Sequence, residues 1–154
     1  MEILDLSEII SDISLNHLDF QSFRIGDRWD QSVTKGDGYP AIWFETPILT
    51  EYRLANKSHK IFTFALDILM LPKLDDLESE LTEISKAEVL ADKLVWYLHK
   101  CKSFSVTSVT GLTIKAYNAD VACGIRLDIR IESSRVCVDL NCEYKEPCLI
   151  DWLS

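Results

Sequence analysis

Five cysteines and three histidines are the side chains of this sequence that are best suited to nucleophilic or metal chemistry. A cysteine or serine nucleophile needs a nearby base, and none of His17, His59 and His99 stands in a nucleophile-elbow sequence or another catalytic signature. Because a chain of this composition contains Cys–His pairs by chance, we interpret the cysteines as buried, inert thiols. A thiol-dependent enzyme stays open as a third alternative, and it would require one exposed cysteine with a lowered pKa.

The sequence contains no motif that is typical of a metal site or a phosphate site. Cys137, Cys142 and Cys148 are spaced more widely than the roughly two- to four-residue gap of a zinc knuckle, and no histidine lies near them. The five glycines are scattered, whereas a phosphate-binding loop needs clustered glycines so that backbone amides reach the anion. We therefore predict no catalytic residue, no metal and no cofactor, and we expect the protein not to be an enzyme.

The most concentrated charge lies in residues 72–83, where acidic side chains greatly outnumber the single Lys73. They include Asp75, Asp76, Glu78 and Glu80. The cluster lacks the glycine and the alternating oxygen ligands of a calcium loop. We interpret this acidic segment as a solvated connector between two elements.

Length and composition predict one folded domain over residues 1–154 with a packed core, since 47% of the residues are hydrophobic. The formal net charge of −9 disfavours direct binding to nucleic acid, because an acidic surface repels phosphates. No apolar stretch approaches the roughly 18 residues of a membrane span, and the acidic N-terminus differs from a secretory signal. The odd number of scattered cysteines argues against a disulfide framework, so we expect a reducing cytoplasm.

Helical spacing of apolar residues predicts two helices. The first is a short N-terminal helix with its apolar face at Leu6, Ile9, Ile10 and Ile13, and with Asp5 and Glu8 as a candidate capping box. The second is a long amphipathic helix that begins at Ser85, where residues 85–88 match the capping-box pattern. Its apolar stripe is Ala87, Leu90, Ala91, Leu94, Val95 and Leu98.

Alternating and apolar runs predict strands. The predicted extended segments are residues 22–31, 39–45, 50–55, 59–71, 104–109, 112–117, 125–132 and 136–142. Residues 56–58 provide a hairpin turn, and residues 32–38 form a polar loop or arm. Pro40 favours an edge strand or a strand start, because proline cannot donate to a ladder, and Gly124 indicates a bulge.

The strand patterns also predict which faces are buried. Phe62, Phe64, Leu66, Ile68 and Met70 share one face of their strand, and Ile125, Leu127, Ile129 and Ile131 alternate with charged residues that face water. Asp67 should point opposite the apolar face, where it accepts a hydrogen bond or faces water. The expected fold is α+β, a small and mainly antiparallel sheet with one long helix packed across it and a short N-terminal helix.

The C-terminal extension, residues 133–154, ends in an apolar cluster. Leu149, Ile150 and Trp152 are too apolar to be left in water without a reason. Such a terminal patch docks on its own core or on a partner, and we place docking within the chain slightly ahead. These three residues are our candidate interface.

Three segments stand together in one order: residues 64–67 closing a strand, residues 83–85 opening the long helix, and residues 120–124 before the strand 125–132. In this order they resemble the small tail-completion or head-to-tail joining proteins of tailed bacteriophages, with the crAss-like phages as a candidate group. The resemblance covers roughly residues 39–132. It implies a small sheet with a helix packed across it, in a protein that assembles as a ring on the neck or tail axis.

The resemblance implies a non-enzymatic virion protein, a ring-forming connector or tail-completion component that assembles in the host cytoplasm. Its expected partners are itself, as a six- or twelve-fold ring, and portal, connector or tail proteins. DNA would pass nearby without specific binding, because negative walls repel phosphates. Asp75, Asp76, Glu78 and Glu80 are the candidates for an acidic lumen. The alternative is an acidic inhibitor or immunity-type module that masks a basic partner by charge complementarity.

Overall fold

The computed structural model describes residues 1–27, 38–53, 59–115 and 121–134 of the chain. The elements in these residues are α1 (Ile3–Asp12), a π-helical turn (Ile13–His17), β1 (Ser22–Asp27), β2 (Ala41–Thr46), β3 (Leu49–Arg53), β4 (His59–Met70), α2 (Leu77–Lys100), β5 (Ser105–Lys115) and β6 (Cys123–Ser134). The predicted fold class is confirmed: the described residues form an α+β structure with one long helix, a short N-terminal helix and a six-stranded sheet.

The sheet has the order β1-β2-β4-β6-β5, and β3 also pairs with β4. β1 and β2 are parallel, while the other pairs are antiparallel. β2 and β3 lie one after the other along the same side of β4, with Phe44 opposite Leu66 and Leu49 opposite Thr63. Pro47 lies between β2 and β3, where its missing N–H breaks no ladder hydrogen bond.

The predicted hairpin pairing of β3 with β4 is confirmed, since Leu49–Arg53 pairs antiparallel with residues 59–63.

The edge position suggested for residues 39–45 is wrong, because β2 lies between β1 and β4. Pro40 precedes the first strand residue, Ala41, so its missing N–H breaks no ladder hydrogen bond. The alternative that Pro40 stands at a strand start is the one that the structure bears out.

One face of the sheet packs against both helices and forms the main core. The apolar residues predicted to share a face on β4 and on β6 are all buried. Leu6, Ile9 and Ile10 of α1 and Ile13 of the π-helical turn are buried, as predicted. The α2 stripe is buried at Ala87, Leu90, Ala91, Leu94 and Leu98, and Val95 is partly buried against it. Sequence periodicity thus predicted which surfaces meet.

Helix α2 begins at Leu77, and the predicted start at Ser85 is wrong. Asp76 is the N-cap, since its carboxylate accepts a hydrogen bond from the Ser79 N–H at 3.0 Å. The Ser85 hydroxyl instead donates to the Leu81 carbonyl within the helix, at 3.0 Å. No residue before Ala87 in α2 is fully buried, so the apolar stripe starts more than two turns after the helix does.

The capping box of α1 also lies one turn earlier than predicted. The Glu2 N–H donates to the Asp5 carboxylate at 2.6 Å, and the helix begins at Ile3. Asp5 is therefore the N3 residue of the capping box, and the N-cap is Glu2.

The two extended segments predicted around Gly111 form the single strand β5, and the bulge lies between Val106 and Ser108. The bulge predicted at Gly124 is wrong, since the pairing of β6 with β4 is regular there. Gly124 has a different role: a Cβ at this position would lie 1.8 Å from the Ile68 carbonyl oxygen. Only glycine lets the two backbones approach so closely.

Several predictions fall outside the described residues. These are the loop 32–37, the turn 56–58, the strand 136–142 and the candidate interface Leu149, Ile150 and Trp152. They stay predictions, as does the extent of the single domain.

Candidate interaction surface

A cleft of about 510 Å³ lies at the end of the sheet where β4 leads into α2, and we call it the corner cleft. Its walls are residues 71–77, Glu80 of α2, Lys115 at the end of β5 and residues 121–123 at the start of β6. The Lys73 N–H donates to the Ser79 hydroxyl at 2.9 Å, which ties the β4–α2 connection to the first turn of the helix. The corner cleft is thus built by the ends of three strands and the start of one helix.

The rim of the corner cleft is apolar and open to solvent. Leu71, Leu74, Leu77 and Val121 are exposed by 50%, 76%, 67% and 54%, respectively. Single exposed apolar residues are normal on a protein surface, whereas a contiguous group around a concavity is typical of a binding site. Leu71, Leu74, Leu77 and Val121 thus bring four exposed apolar side chains to one cleft.

The corner cleft also contains three of the four carboxylates predicted for an acidic lumen. Asp75, Asp76 and Glu80 line it, and Glu78 is exposed on the next position of α2. Two of them have local partners: Asp76 caps α2, and Glu80 lies 2.8 Å from the Lys115 ammonium. The acidic segment 72–83 was predicted to be a connector, but residues 77–83 belong to α2, so most of it is helix. Acidic residues suit the positive N-terminal end of the helix dipole.

Two residues of the corner cleft have left-handed backbone conformations. Asp75 has φ of 56° and Val121 has φ of 49°. Aspartate tolerates this region, but a β-branched residue such as valine rarely adopts it. Strained residues of this kind cluster at functional sites, where the surrounding structure holds them in place. The backbone therefore singles out the same cleft as the exposed leucines do.

Cys123 forms part of the inner wall of the corner cleft and is buried. Its thiol donates to the Glu80 carbonyl at 3.8 Å. Burial, with a further contribution from the carboxylates of Glu80 and Glu83, raises the pKa of the Cys123 thiol to about 11. The thiol is thus protonated at neutral pH, which is the opposite of what a nucleophilic cysteine requires. Cys101 is also buried, and Cys137, Cys142 and Cys148 lie outside the described residues.

We expect Cys123 to make the protein less stable in alkali. Its folded-state pKa lies above the ordinary value of 9.0, so its contribution to stability is complete below pH 9 and is lost as the pH rises toward 11. Urea denaturation should show the wild type losing about 2 kcal/mol more over this window than Cys123→Ala does. Equal losses in the two proteins would mean that Cys123 is not protected from ionisation by the fold.

A cluster of charged residues lies on the other face of the sheet, away from the helices. Arg126 on β6 is directly opposite Asp67 on β4, with its guanidinium Nη1 3.5 Å from the Asp67 carboxylate. The same Nη1 donates to Glu45 on β2, and Nε donates to Asp128 at 3.1 Å. Arg126 therefore links three neighbouring strands through their carboxylates.

Three members of this charged cluster are almost closed to solvent, whereas the Asp128 side chain is 54% exposed. Asp67 is fully buried, and Glu45 and the Arg126 side chain are mostly buried. The hydrogen bond that Arg126 donates to Glu45, with the nearby carboxylates, raises the pKa of Arg126 further above its ordinary value, so its charge is permanent. The expectation that the charged face of β6 simply lies in water is wrong at Arg126. Asp67 does point away from the apolar face, as predicted, but it meets a cation rather than water.

The roles of Glu45 and Arg126 in this cluster were not predicted, because each has the pattern of an ordinary polar residue in a half-exposed strand. The one available signal was Asp67, an acid inside an apolar strand that needs a cation nearby. We interpret the cluster as a network that holds β2, β4 and β6 together, since the carboxylates of Glu45 and Asp67 lie against Arg126 and hardly reach solvent.

Within the described ranges no group of three or more His, Cys, Asp or Glu side chains is placed to hold a metal ion. In the same ranges no helix has both the length and the apolar character needed to cross a membrane. No protein-family model matches the sequence, and no curated protein is significantly similar to it.

Proposed function

We propose that this chain is a non-enzymatic structural protein that binds its neighbours through the corner cleft, as a ring-forming head-to-tail connector or tail-completion component of a phage virion. The observation that carries the proposal is the corner cleft itself. It is concave, rimmed by exposed leucines, lined by carboxylates and bounded by Val121, whose backbone is strained. These features suit a protein-binding surface, because a partner would cover apolar area that water now contacts.

A ring requires two different surfaces on each copy, one that receives and one that inserts. The corner cleft fits the receiving role, because it is concave and lies at the end of the sheet. Covering one exposed leucine contributes about 1.5–3 kcal/mol. Leu71, Leu74 and Leu77 together offer several kcal/mol toward the cost of association. The candidate interface Leu149, Ile150 and Trp152 stays our prediction for the inserting surface.

One of the three segments that resemble phage tail-completion proteins reaches the corner cleft. Residues 121–123 form part of its wall, and the Cys123 thiol donates to the Glu80 carbonyl of α2. The position of this segment supports a role in assembly.

The net charge of −9 supports a position beside the DNA path, since negative walls repel phosphates and let the genome slide. Asp75 and Glu78 are exposed on the surface. They are the carboxylates best placed to face a lumen, whereas Asp76 and Glu80 have local partners.

The acidic inhibitor or immunity-type module is the second candidate function. The observation that favours it is the combination of apolar rim and carboxylates in one cleft, which suits a partner segment with both apolar and basic residues. Such a module would bind one basic partner at one-to-one stoichiometry and would form no ring.

The decisive measurement is quantitative mass spectrometry of purified virions from the source, counting copies of this chain per particle. We expect a small multiple of six, as for a neck or tail ring. Absence of the chain from virions would overturn the structural role and favour the acidic module.

A paired substitution tests the role of the corner cleft directly. We expect Leu74→Ser with Leu77→Ser to reduce incorporation into virions by about a hundredfold, because two exposed apolar contacts are lost. The control is Val89→Ser, at an apolar residue of α2 that is 55% exposed and lies outside the cleft. If the double variant and the control are incorporated alike, the cleft is not an assembly surface.

A further inference from the structure

The outer edge of β5 has no strand paired with it in the part of the chain that the structure describes. β5 is the last strand in the sheet order, and among the described residues only β6 pairs with it. All of its residues are exposed or half-buried, over a length of eleven residues. A strand of this length presents a row of N–H and C=O groups that another strand can pair with.

This edge lacks the features that usually prevent pairing. Residues 105–114 contain no charged residue and no proline. Its β-branched residues, which favour strands, are Val106, Thr107, Val109, Thr110, Thr113 and Ile114. The bulge between Val106 and Ser108 disturbs only the start of the strand. Edges that must stay single are normally blunted by charge, proline or short length, so this one is suited to pairing.

The charge of this edge bears on the partner that fits it. A basic strand would need carboxylates to pair with, and residues 105–114 carry none. Lys115, at the end of the strand, is bound to Glu80. The edge is thus a neutral strip on a chain of net charge −9, and a neutral strip is where a second chain with the same negative charge can approach.

We propose that β5 pairs antiparallel with β5 of a second copy of this chain, about a two-fold axis at Thr110, so that two sheets become one. Self-pairing about the middle of one strand is the isologous contact that two-fold symmetry requires. With the axis at Thr110, each Ser108 lies opposite Leu112 of the other copy, and each Val109 lies opposite Gly111. These pairs contain no like charges, and pairing covers part of the Leu112 side chain, which is 60% exposed.

The edge residues 105–114 do not line the corner cleft, and the proposed contact does not rest on the proposed function. A two-fold contact could join two rings face to face or form a free dimer. Failure of one proposal therefore leaves the other standing.

The test is the oligomeric state by sedimentation equilibrium, with substitutions on the two outer strands. Thr110→Lys places two ammonium groups together at the axis, so we expect its dimer dissociation constant to rise at least about tenfold. Ile25→Lys, on the exposed face of β1, adds the same charge at the other side of the sheet and should leave the dimer unchanged.

A second variant keeps the proposal testable if the lysine perturbs folding. Thr110→Cys should form a disulfide-linked dimer on mild oxidation, because the two residues meet at the axis. Wild type that stays monomeric up to about 100 μM would overturn the proposal. So would a folded Thr110→Lys that dimerises like wild type, or a Thr110→Cys that does not cross-link.

Discussion

Replacing Arg126 by methionine will lower the free energy of unfolding by about 3–5 kcal/mol. Methionine keeps most of the volume of the side chain but removes the cation between β2, β4 and β6. The carboxylate of Asp67, which is fully buried, would then lose this charge partner in a place where water does not reach it. The cost arises mainly from the charge that is left behind, rather than from the bond that is lost.

The matched control is Arg130→Met, four residues further along the same strand. Arg130 lies 2.9 Å from Glu51, and the side chains of this pair are 36% and 40% exposed. An exposed ion pair contributes about 0–1 kcal/mol, so we expect a small loss. Chemical denaturation of the two variants measures the difference, and equal losses would mean that burial does not set the cost of these charges.

Replacing Gly124 by alanine will lower the free energy of unfolding by about 3 kcal/mol. The added Cβ would lie 1.8 Å from the Ile68 carbonyl oxygen and 2.9 Å from its carbonyl carbon. Both are backbone atoms that cannot rotate aside, so β4 and β6 must separate where they form the longest pairing of the sheet. The effect should lie at the upper end of what overpacking costs.

Gly111→Ala is the matched control for this prediction. A Cβ at Gly111 would meet Leu127 Cδ2 at 3.7 Å and Ile125 Cγ2 at 3.9 Å, which are ordinary contacts. Because alanine in a strand costs less chain entropy than glycine, stability should stay the same or rise by about 0.5 kcal/mol. A Gly124→Ala protein that unfolds at the same urea concentration as Gly111→Ala would contradict the close approach of β4 and β6.

These two sites also bear on the corner cleft. Gly124 directly follows residues 121–123, which form one of its walls, and Arg126 lies two residues further along β6. A firmly held β4–β6 pair therefore fixes that wall, including the strained Val121. Loss of the pairing should disturb the cleft as well as the core.

Much of the fold was predictable because burial on one face produces a regular pattern. The alternation of Ile125, Leu127, Ile129 and Ile131 predicted β6 and its core face, and the helical spacing after Ala87 predicted the buried stripe of α2. The acidic residues later found in the corner cleft were also noticed, since a dense run of carboxylates is visible in the sequence itself.

Other features left weak signals in the sequence. The first turns of α2 carry no buried stripe, so the helix start depended on one side-chain contact at Asp76. The leucines Leu71, Leu74 and Leu77 were not recognised as a surface, because their exposure is not a property of residue type.

The sequence by itself determined the α+β class, the apolar faces of the central strands and the main helix, and the acidic character of the surface. Only the tertiary structure decided that Asp67 meets Arg126, that Gly124 touches the β4 backbone and that leucines and carboxylates share one cleft. The physical reason is the range of the interactions. Periodicity records how each segment meets a core, whereas contacts between segments far apart in the chain depend on how the strands are ordered and registered.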